Sequence, residues 1–206
     1  MVVALGSLCY ADPQPNLVVN GGFETGDFSG WTVSGNITPC LFVGTAGYAG
    51  CIPTTSLGGH SGTYAAELGN AGGDATLSEV LNTTGDGTFD ITFWLASQSY
   101  GTPVNDFSVS WGGTTLMSAV NLPAFGYTEY EFAGLTAAGP TTVLTFEFRN
   151  DPSYFVLDDV SVVDPPRMPE PAGAGGIGVL LAILMMERRR RGRAVIHKRV
   201  SLPENC

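Results

Sequence analysis

Basic residues are scarce in most of this 206-residue chain, and Lys198 is the only lysine. The first basic residue is Arg149, and seven of the nine basic residues follow Glu187. Between Asp12 and Arg167 there are sixteen acidic residues and two basic ones, which gives that stretch a formal net charge of −14. A surface of this charge repels nucleic acid and anionic lipid. Such a surface suits calcium, neutral glycans or simple solubility.

Residues for nucleophilic catalysis are also scarce. His60 is the only histidine before His197, and no Gly-x-Ser-x-Gly segment is present. Glu129 and Glu147 are a carboxylate pair of the kind that glycoside hydrolysis uses, but sequence does not give the separation that this chemistry needs. We therefore predict that the protein is not an enzyme, with glycoside hydrolase as the least supported function.

Helical periodicity is absent before Ala172, whereas short alternating runs are frequent. Apolar and polar residues alternate over Phe89–Leu95, Phe107–Trp111 and Leu144–Arg149. Alternation over short runs that are bounded by turn residues predicts half-buried strands. Many strands without helices favour a β-sandwich. We predict one all-β domain over residues 12–164, with Trp31 and Trp111 in its core.

The C-terminal region has three parts in a fixed order. Pro169-Glu170-Pro171 is followed by an apolar stretch, residues 172–186, and then by the basic run Arg188–Arg193. Clustered arginines stay on the cytoplasmic side of a membrane, so the preceding domain is predicted to face outward. We predict a linker at 165–171, a transmembrane helix at 172–186 and a basic cytoplasmic tail at 187–206. The helix is short, because about 20 residues are needed to span a bilayer.

This order resembles the PEP-CTERM sorting domain of Gram-negative bacteria. The resemblance implies processing near Pro169, Glu170 and Pro171 by a membrane protease, an exosortase, and an association with exopolysaccharide. It also implies an exported protein that is anchored in the inner membrane before processing and then lies at the cell surface or in the extracellular matrix. Residues 1–11 resemble a truncated signal peptide, because they are apolar and lack a basic n-region.

Four cysteines are present, and two of them lie in the predicted domain. Cys9 belongs to the predicted signal peptide, and Cys206 follows the predicted membrane segment. Cys40 and Cys51 flank a glycine-rich loop and are predicted to form a disulfide in an oxidising compartment. On the chain-entropy model a loop of this size gives about 3 kcal/mol of stability. A metal site is the alternative, but no second Cys/His pair accompanies these residues.

The two ends of the predicted domain carry a second resemblance. Asn20–Gly26, followed by Phe28 and Trp31, resembles the first strand of jelly-roll carbohydrate-binding modules with a galactose-binding-like fold. Phe155–Val162 resembles their last strand, and Gly59–Ala65 resembles their turn into an inner strand. The resemblance implies a jelly-roll β-sandwich.

That family often holds a structural calcium ion where the first and last strands meet. Calcium takes six to eight oxygen ligands from carboxylates and carbonyls. The resemblance implies carboxylates from Glu24 and Asp159 and carbonyls from Gly22, His60 and Thr63. Alternation does not decide between Asp159 and Asp158, and His60 is expected to act through its backbone. The alternative is that Glu24 caps a turn and the aspartates are solvated.

Glycan recognition commonly uses an aromatic face with polar groups around it. Trp94 has the parity opposite to Phe93, which predicts a place on a sheet surface. Glu129, Glu147 and Arg149 also occupy polar parities, and together with Trp94 they are the predicted glycan-binding set. The alternative is that a loop covers Trp94 and that the charges are simply solvated. Tyr100 and Tyr127 are weaker, loop-placed candidates.

Two functions follow from these features. The leading prediction is an exported, non-catalytic surface or matrix protein that is sorted by its C-terminal signal and associated with exopolysaccharide. The alternative is a glycan-binding module with a specific polysaccharide ligand.

Overall fold

The computed structural model describes residues 14–47, 56–84, 87–98 and 104–165. The chain divides into two units, Met1–Pro166 and Arg167–Cys206, and all described residues belong to the first. The predicted signal peptide, sorting motif, membrane helix and basic tail lie outside the described residues, as does Cys51. Within the described ranges no helix is long and apolar enough to cross a membrane.

The described residues form ten strands and no helix. The strands are β1 (Thr32–Gly35), β2 (Leu41–Thr45), β3 (Tyr64–Leu68), β4 (Ala75–Asn82), β5 (Thr88–Ser97), β6 (Val104–Trp111), β7 (Thr114–Val120), β8 (Phe125–Thr136), β9 (Thr141–Asp151) and β10 (Phe155–Val163). The three alternating runs of the sequence lie in β5, β6 and β9, which confirms them as strands.

The strands form two five-stranded antiparallel sheets. The first sheet has the order β1-β4-β9-β6-β7, and the second has the order β2-β3-β10-β5-β8. Neighbours in each sheet are mostly distant in sequence, as in β4 with β9 and β3 with β10. The predicted all-β sandwich is therefore confirmed.

The core lies between the sheets and is rich in aromatic rings. Phe93 of β5 is fully buried, and its ring centroid lies 5.2 Å from that of Tyr130 and 5.2 Å from that of Phe146. Trp31 and Trp111 are 8% and 4% exposed, as predicted for core residues. Phe93 and Trp111 are placed by period-2 alternation, because one face of each strand points into the sandwich, whereas Trp31 lies just before β1.

The predicted first strand is wrong in its conformation. Residues 18–26 form turns, and the first strand begins at Thr32. Asn20 and Phe23 have φ angles of 56° and 55°, which are left-handed values that an extended strand does not contain. The segment still connects the N-terminal part of the domain to β10, because Val160 N donates to Gly21 O and Leu17 N donates to Val162 O. The predicted last strand is confirmed as β10.

Candidate functional site

The two outer faces of the sandwich differ in their exposure. On the second sheet, four residues outside the main core form a separate buried cluster, namely Ala65, Ala96, Tyr154 and Val156. On the first sheet, outward residues of β4, β9 and β6 alternate with the core residues and stay partly or fully exposed. The second sheet is thus covered at this cluster, although Glu129 and Glu131 of β8 stay exposed, and the outer face of the first sheet is open.

A bulge in β10 brings two neighbouring carboxylates to the same corner. The pairing of β10 with β5 shifts register between Asp158 and Ser161, and Asp159 has a φ of 49°. Neighbouring side chains of a regular strand point to opposite faces, but a bulge breaks that rule. Asp158 is fully buried while Asp159 is half-buried, and both contact the turn that contains His60.

Asp158 and Asp159 hold the turn before β3 through different atoms. Asp158 Oδ2 accepts the backbone N–H groups of His60 at 2.6 Å and Ser61 at 3.1 Å. Asp159 Oδ2 lies 2.7 Å from His60 Nδ1, and Asp159 Oδ1 accepts Ser61 Oγ at 2.6 Å. Burial raises the pKa of Asp158 to about 6, although its backbone hydrogen bonds oppose that rise. The sequence did not identify the part that Asp158 plays.

Glu24 reaches the same corner from the N-terminal turns. Its Oε1 accepts the backbone N–H groups of Thr63 at 2.8 Å and Tyr64 at 2.9 Å. An ideal Cβ on Gly22 would lie 3.7 Å from Asp159 Oδ1 and 3.8 Å from Asp158 Oδ1. The carboxylates of Asp158 and Asp159 therefore lie next to the bare backbone of Gly22, whereas that of Glu24 lies at the backbone of Thr63 and Tyr64.

This corner unites the five residues that were predicted to bind calcium, which are Gly22, Glu24, His60, Thr63 and Asp159. In the described part of the chain no three His, Cys, Asp or Glu side chains are placed to hold a metal ion. A site of two carboxylates and three carbonyls needs no third such side chain. The donor set is oxygen-rich and negatively charged, which fits calcium chemistry.

A short stretch before β3 lies over the second sheet. We call Ser56–His60 the cover segment. The His60 ring stacks on Trp94 with ring centroids 3.7 Å apart and 12° between the planes. Tyr127, which lies in β8 and not in a loop as predicted, donates its hydroxyl to Gly58 O at 2.5 Å. Trp94 is half-buried, and one of its ring faces is occupied by His60.

Glu67 is buried beneath the cover segment. It is 0% exposed, and Ser56 Oγ donates to its Oε1. Its Oε2 is buried and has no hydrogen-bond partner among the described residues. Burial raises the pKa of Glu67 to about 7, and the hydrogen bond from Ser56 only partly offsets this. The outward parity of Glu67 in β3 does not predict this burial, because the residues that cover it are brought together only by the fold.

The open face of the first sheet carries a patch of polar side chains, which we call the open patch. It consists of Thr76 on β4, Glu147 and Arg149 on β9, and Asp106 and Ser108 on β6. Glu147 is paired with Thr76 on one side and with Ser108 on the other. Asp106 is paired with Arg149. Hydroxyl, carboxylate and guanidinium groups are therefore neighbours on one accessible surface.

Arg149 is held in one position within this patch. Its Nε donates to Asp151 Oδ2 at 2.8 Å, and its Nη2 donates to the same oxygen. Asp151 is itself fixed by Gly72 N, which lies 3.0 Å from Oδ1 and 3.1 Å from Oδ2. The hydrogen bond to Asp151 raises the pKa of Arg149. Burial raises the pKa of Asp106, as does the charge of Asp74, while Arg149 opposes the rise.

The predicted glycan-binding set does not lie on one face. Trp94 and Glu129 are cross-strand partners on β5 and β8 of the second sheet. Glu147 and Arg149 lie on β9 of the first sheet and point away from the core. The four predicted residues therefore lie on two different sheets, because β9 pairs with β4 and β6 and not with β5 or β8. Trp94 has the covered arrangement that was the alternative to an open platform.

A cleft at one end of the sandwich is a weaker candidate. It has a volume of about 550 Å³ and is lined by Thr84, Gly87 and residues 136–140. None of these residues is charged or aromatic. Such a lining offers a ligand little beyond backbone groups and two hydroxyls.

The sequence matches no protein-family model and no curated protein, but the structure resembles solved ones. TmCBM61 in complex with β-1,4-galactotriose has a TM-score of 0.56 at 22% identity, covering 73% of this chain and 99% of that chain. The CBM22-1 xylan-binding domain of Paenibacillus barcinonensis Xyn10C has a TM-score of 0.47 at 16% identity, covering 75% and 97%. The enzymatically active domain of bacteriophage CBA120 tailspike protein 4 has a TM-score of 0.47 at 18% identity, covering 72% and 21%. The likeness to TmCBM61 establishes the fold, a jelly-roll β-sandwich of the kind found in carbohydrate-binding modules.

Proposed function

We propose that this domain is a non-catalytic module that binds a polysaccharide through the open patch of the first sheet. The observation that carries the proposal is the accessible group of Thr76, Ser108, Glu147 and Arg149 on adjacent strands of a carbohydrate-binding-module fold. Sugar hydroxyls both donate and accept hydrogen bonds. A surface that places donors and acceptors side by side therefore suits them.

The fixed guanidinium is the strongest feature of the patch. Since Asp151 holds Arg149 through Nε and Nη2, the remaining N–H groups keep a defined direction without further loss of side-chain entropy. Glu147 lies two residues away on the same face and is exposed. The pair offers a donor and an acceptor to neighbouring hydroxyls of one sugar. Hydrogen bonds to charged groups contribute about 1.5–3 kcal/mol each.

The test is retention of the full-length protein in native gels that contain β-1,4-galactan, xylan or β-mannan. We expect one of these polymers to retard the protein, and Arg149→Ala to weaken binding by about 10-fold to 100-fold. Glu129→Gln, on the other sheet, is the matched control and should bind as the wild type does. Equal retention of the wild type and Arg149→Ala would show that the open patch does not bind the polymer. Loss of retention in Glu129→Gln, with retention kept in Arg149→Ala, would place the site on the second sheet.

We also propose that a structural calcium ion is held by Glu24 and Asp159 through carboxylates and by Gly22, His60 and Thr63 through carbonyls. Glu24 Oε1 accepts the N–H groups of Thr63 and Tyr64, and Asp159 contacts His60 and Ser61. Both carboxylates therefore lie at the turn before β3, which supports this assignment. Bound calcium would neutralise these carboxylates and tie the N-terminal turns to β10. Chelation should lower the Tm of the full-length protein, and Glu24→Gln should remove most of that difference. An equal chelator effect in Glu24→Gln would count against the site.

The location of the protein is proposed from its sequence alone. The order of Pro169-Glu170-Pro171, an apolar stretch and an arginine run supports export, processing by an exosortase-type protease, and delivery to the cell surface or matrix. Glu170→Ala should leave unprocessed protein in the membrane fraction, while Glu187→Ala should be processed normally. Normal processing of Glu170→Ala would contradict the sorting assignment.

A further inference from the structure

We propose that the cover segment is a pH-sensitive lid on the second sheet, and that it is released when Glu67 beneath it loses its proton. The lid covers an aromatic and apolar surface that includes Tyr127 and one ring face of Trp94. This surface is separate from the open patch, so the inference does not depend on glycan binding by the first sheet.

Glu67 is isolated from water beneath the cover segment. Its side chain is fully buried on the outer side of β3, and in the part of the chain that the structure describes one carboxylate oxygen, Oε2, has no hydrogen-bond partner. The other oxygen is bonded by the hydroxyl of Ser56, which belongs to the cover segment. A buried carboxylate in this position is tolerated when neutral and is costly when charged.

Glu67 is connected to the lid through the hydroxyl of Ser56. Ser56 Oγ, which donates to Glu67, also accepts Gly58 N at 2.9 Å. Gly58 O in turn accepts the hydroxyl of Tyr127 at 2.5 Å. A change at Glu67 therefore acts on the same residues that hold Tyr127 beneath the segment. Gly47 N, which donates to Ser56 O at 3.0 Å, is a further tie.

The charged and titratable groups around Glu67 do not offset its negative charge. Within the described residues, Tyr127 on β8 is the titratable group coupled to Glu67, and Asp158 and Asp159 on β10 act on Tyr127. Burial and the charges of Asp158, Glu67 and Asp159 all raise the pKa of Tyr127. None of these groups supplies a positive charge. Burial also raises the pKa of Glu67 to about 7, so the closed lid favours the protonated acid. Asp158 Oδ2 accepts the N–H groups of His60 and Ser61, which keeps that end of the lid attached as a hinge.

The direction and size of the effect follow from linkage. With the lid open, Glu67 is hydrated and its pKa returns toward 4.5, while in the closed state it is about 7. The open state therefore binds fewer protons between these values. The opening equilibrium should rise about tenfold per pH unit from about pH 5 to pH 7 and level off above, a total of about 300-fold.

The test is hydrogen exchange of the full-length protein between pH 5 and pH 8.5, corrected for the intrinsic exchange rate at each pH. Protection of the peptide that contains residues 56–59 should fall across pH 5–7, while protection of β5 should not. Acetylation of Tyr127 by N-acetylimidazole gives a second readout and should increase over the same range. Each series is run with calcium and with chelator, because His60 is a proposed calcium ligand.

The decisive variant is Glu67→Gln, which keeps the shape and removes the charge. Its lid should stay protected at pH 8.5, and Tyr127 should stay unreactive. Glu79→Gln is the matched control, because Glu79 is a second buried glutamate, on the first sheet, and it should behave as the wild type does. If Glu67→Gln does not fold, Ser56→Ala should open the lid already at pH 5. The same pH dependence in the wild type and Glu67→Gln, or protection of the wild-type lid up to pH 8.5, would overturn the inference.

Discussion

Replacement of Glu67 by glutamine should change how the stability of the whole domain depends on pH. Burial raises the pKa of Glu67 from 4.5 in the unfolded chain to about 7 in the folded one. Between these values the folded state keeps a proton that the unfolded state has lost, so stability falls as pH rises. Each pKa unit is equivalent to about 1.4 kcal/mol, which gives a loss of about 3 kcal/mol by pH 7.5.

The assay is urea unfolding of the wild type and Glu67→Gln at intervals from pH 4 to pH 8. Other carboxylates, such as Asp106 and Glu79, also have raised pKa values, but they are common to both proteins and cancel in the difference. We expect the variant to gain up to about 3 kcal/mol relative to the wild type over this range. Opening of the cover segment hydrates Glu67 without global unfolding, and this reduces the loss of folding stability that urea unfolding measures.

Two results would refute this reasoning. A difference between wild type and Glu67→Gln that is constant with pH would mean that Glu67 has the same pKa in both states. A difference that moves in the opposite direction would mean that the folded state favours the charged acid. Glu131→Gln, which removes an exposed carboxylate on β8, is the control and should shift stability by less than about 0.5 kcal/mol at any pH.

Two core predictions follow from packing. Phe93→Ala should cost about 3–5 kcal/mol in urea unfolding, because its ring is fully buried between Tyr130 and Phe146. An ideal Cβ on Gly69 would lie 2.1 Å from Cδ1 of the buried Tyr154, so Gly69→Ala should cost at least about 1–3 kcal/mol. Gly126→Ala, where nothing lies within 4 Å of the Cβ position, should be nearly neutral in the same measurement.

Strands were predictable from the sequence where alternation was regular. Phe89, Phe93, Phe107 and Phe146 all point into the core as their parity requires, because one buried face fixes the register of each strand. The same rule failed at Asp158 and Asp159. There a left-handed residue and a register shift turn both carboxylates toward one corner, and parity does not encode a bulge.

The site was less predictable because it depends on strand order. Glu129 and Glu147 have equivalent outward parities, yet they lie on different sheets. Local pattern shows that a residue faces away from the core, but which sheet it belongs to follows from pairings between strands that are far apart in the chain. The cover over Glu67 was hidden for a similar reason, since Ser56, Tyr127 and Asp158 come from three separate segments.

The carboxylates of this acidic domain have two different surroundings, and this division has a testable consequence. Glu24, Glu67 and Asp158 accept hydrogen bonds from the segment around His60, whereas Glu147 is exposed on the opposite sheet. Packed sheets lie about 10 Å apart with the aromatic core between them, and sites separated by this much usually act additively. Arg149→Ala should therefore leave the pH dependence of the lid unchanged, and Glu67→Gln should leave polysaccharide retention through the open patch unchanged. Loss of retention in Glu67→Gln would mean that glycan binds beneath the lid on the second sheet, in contact with Trp94 or Tyr127.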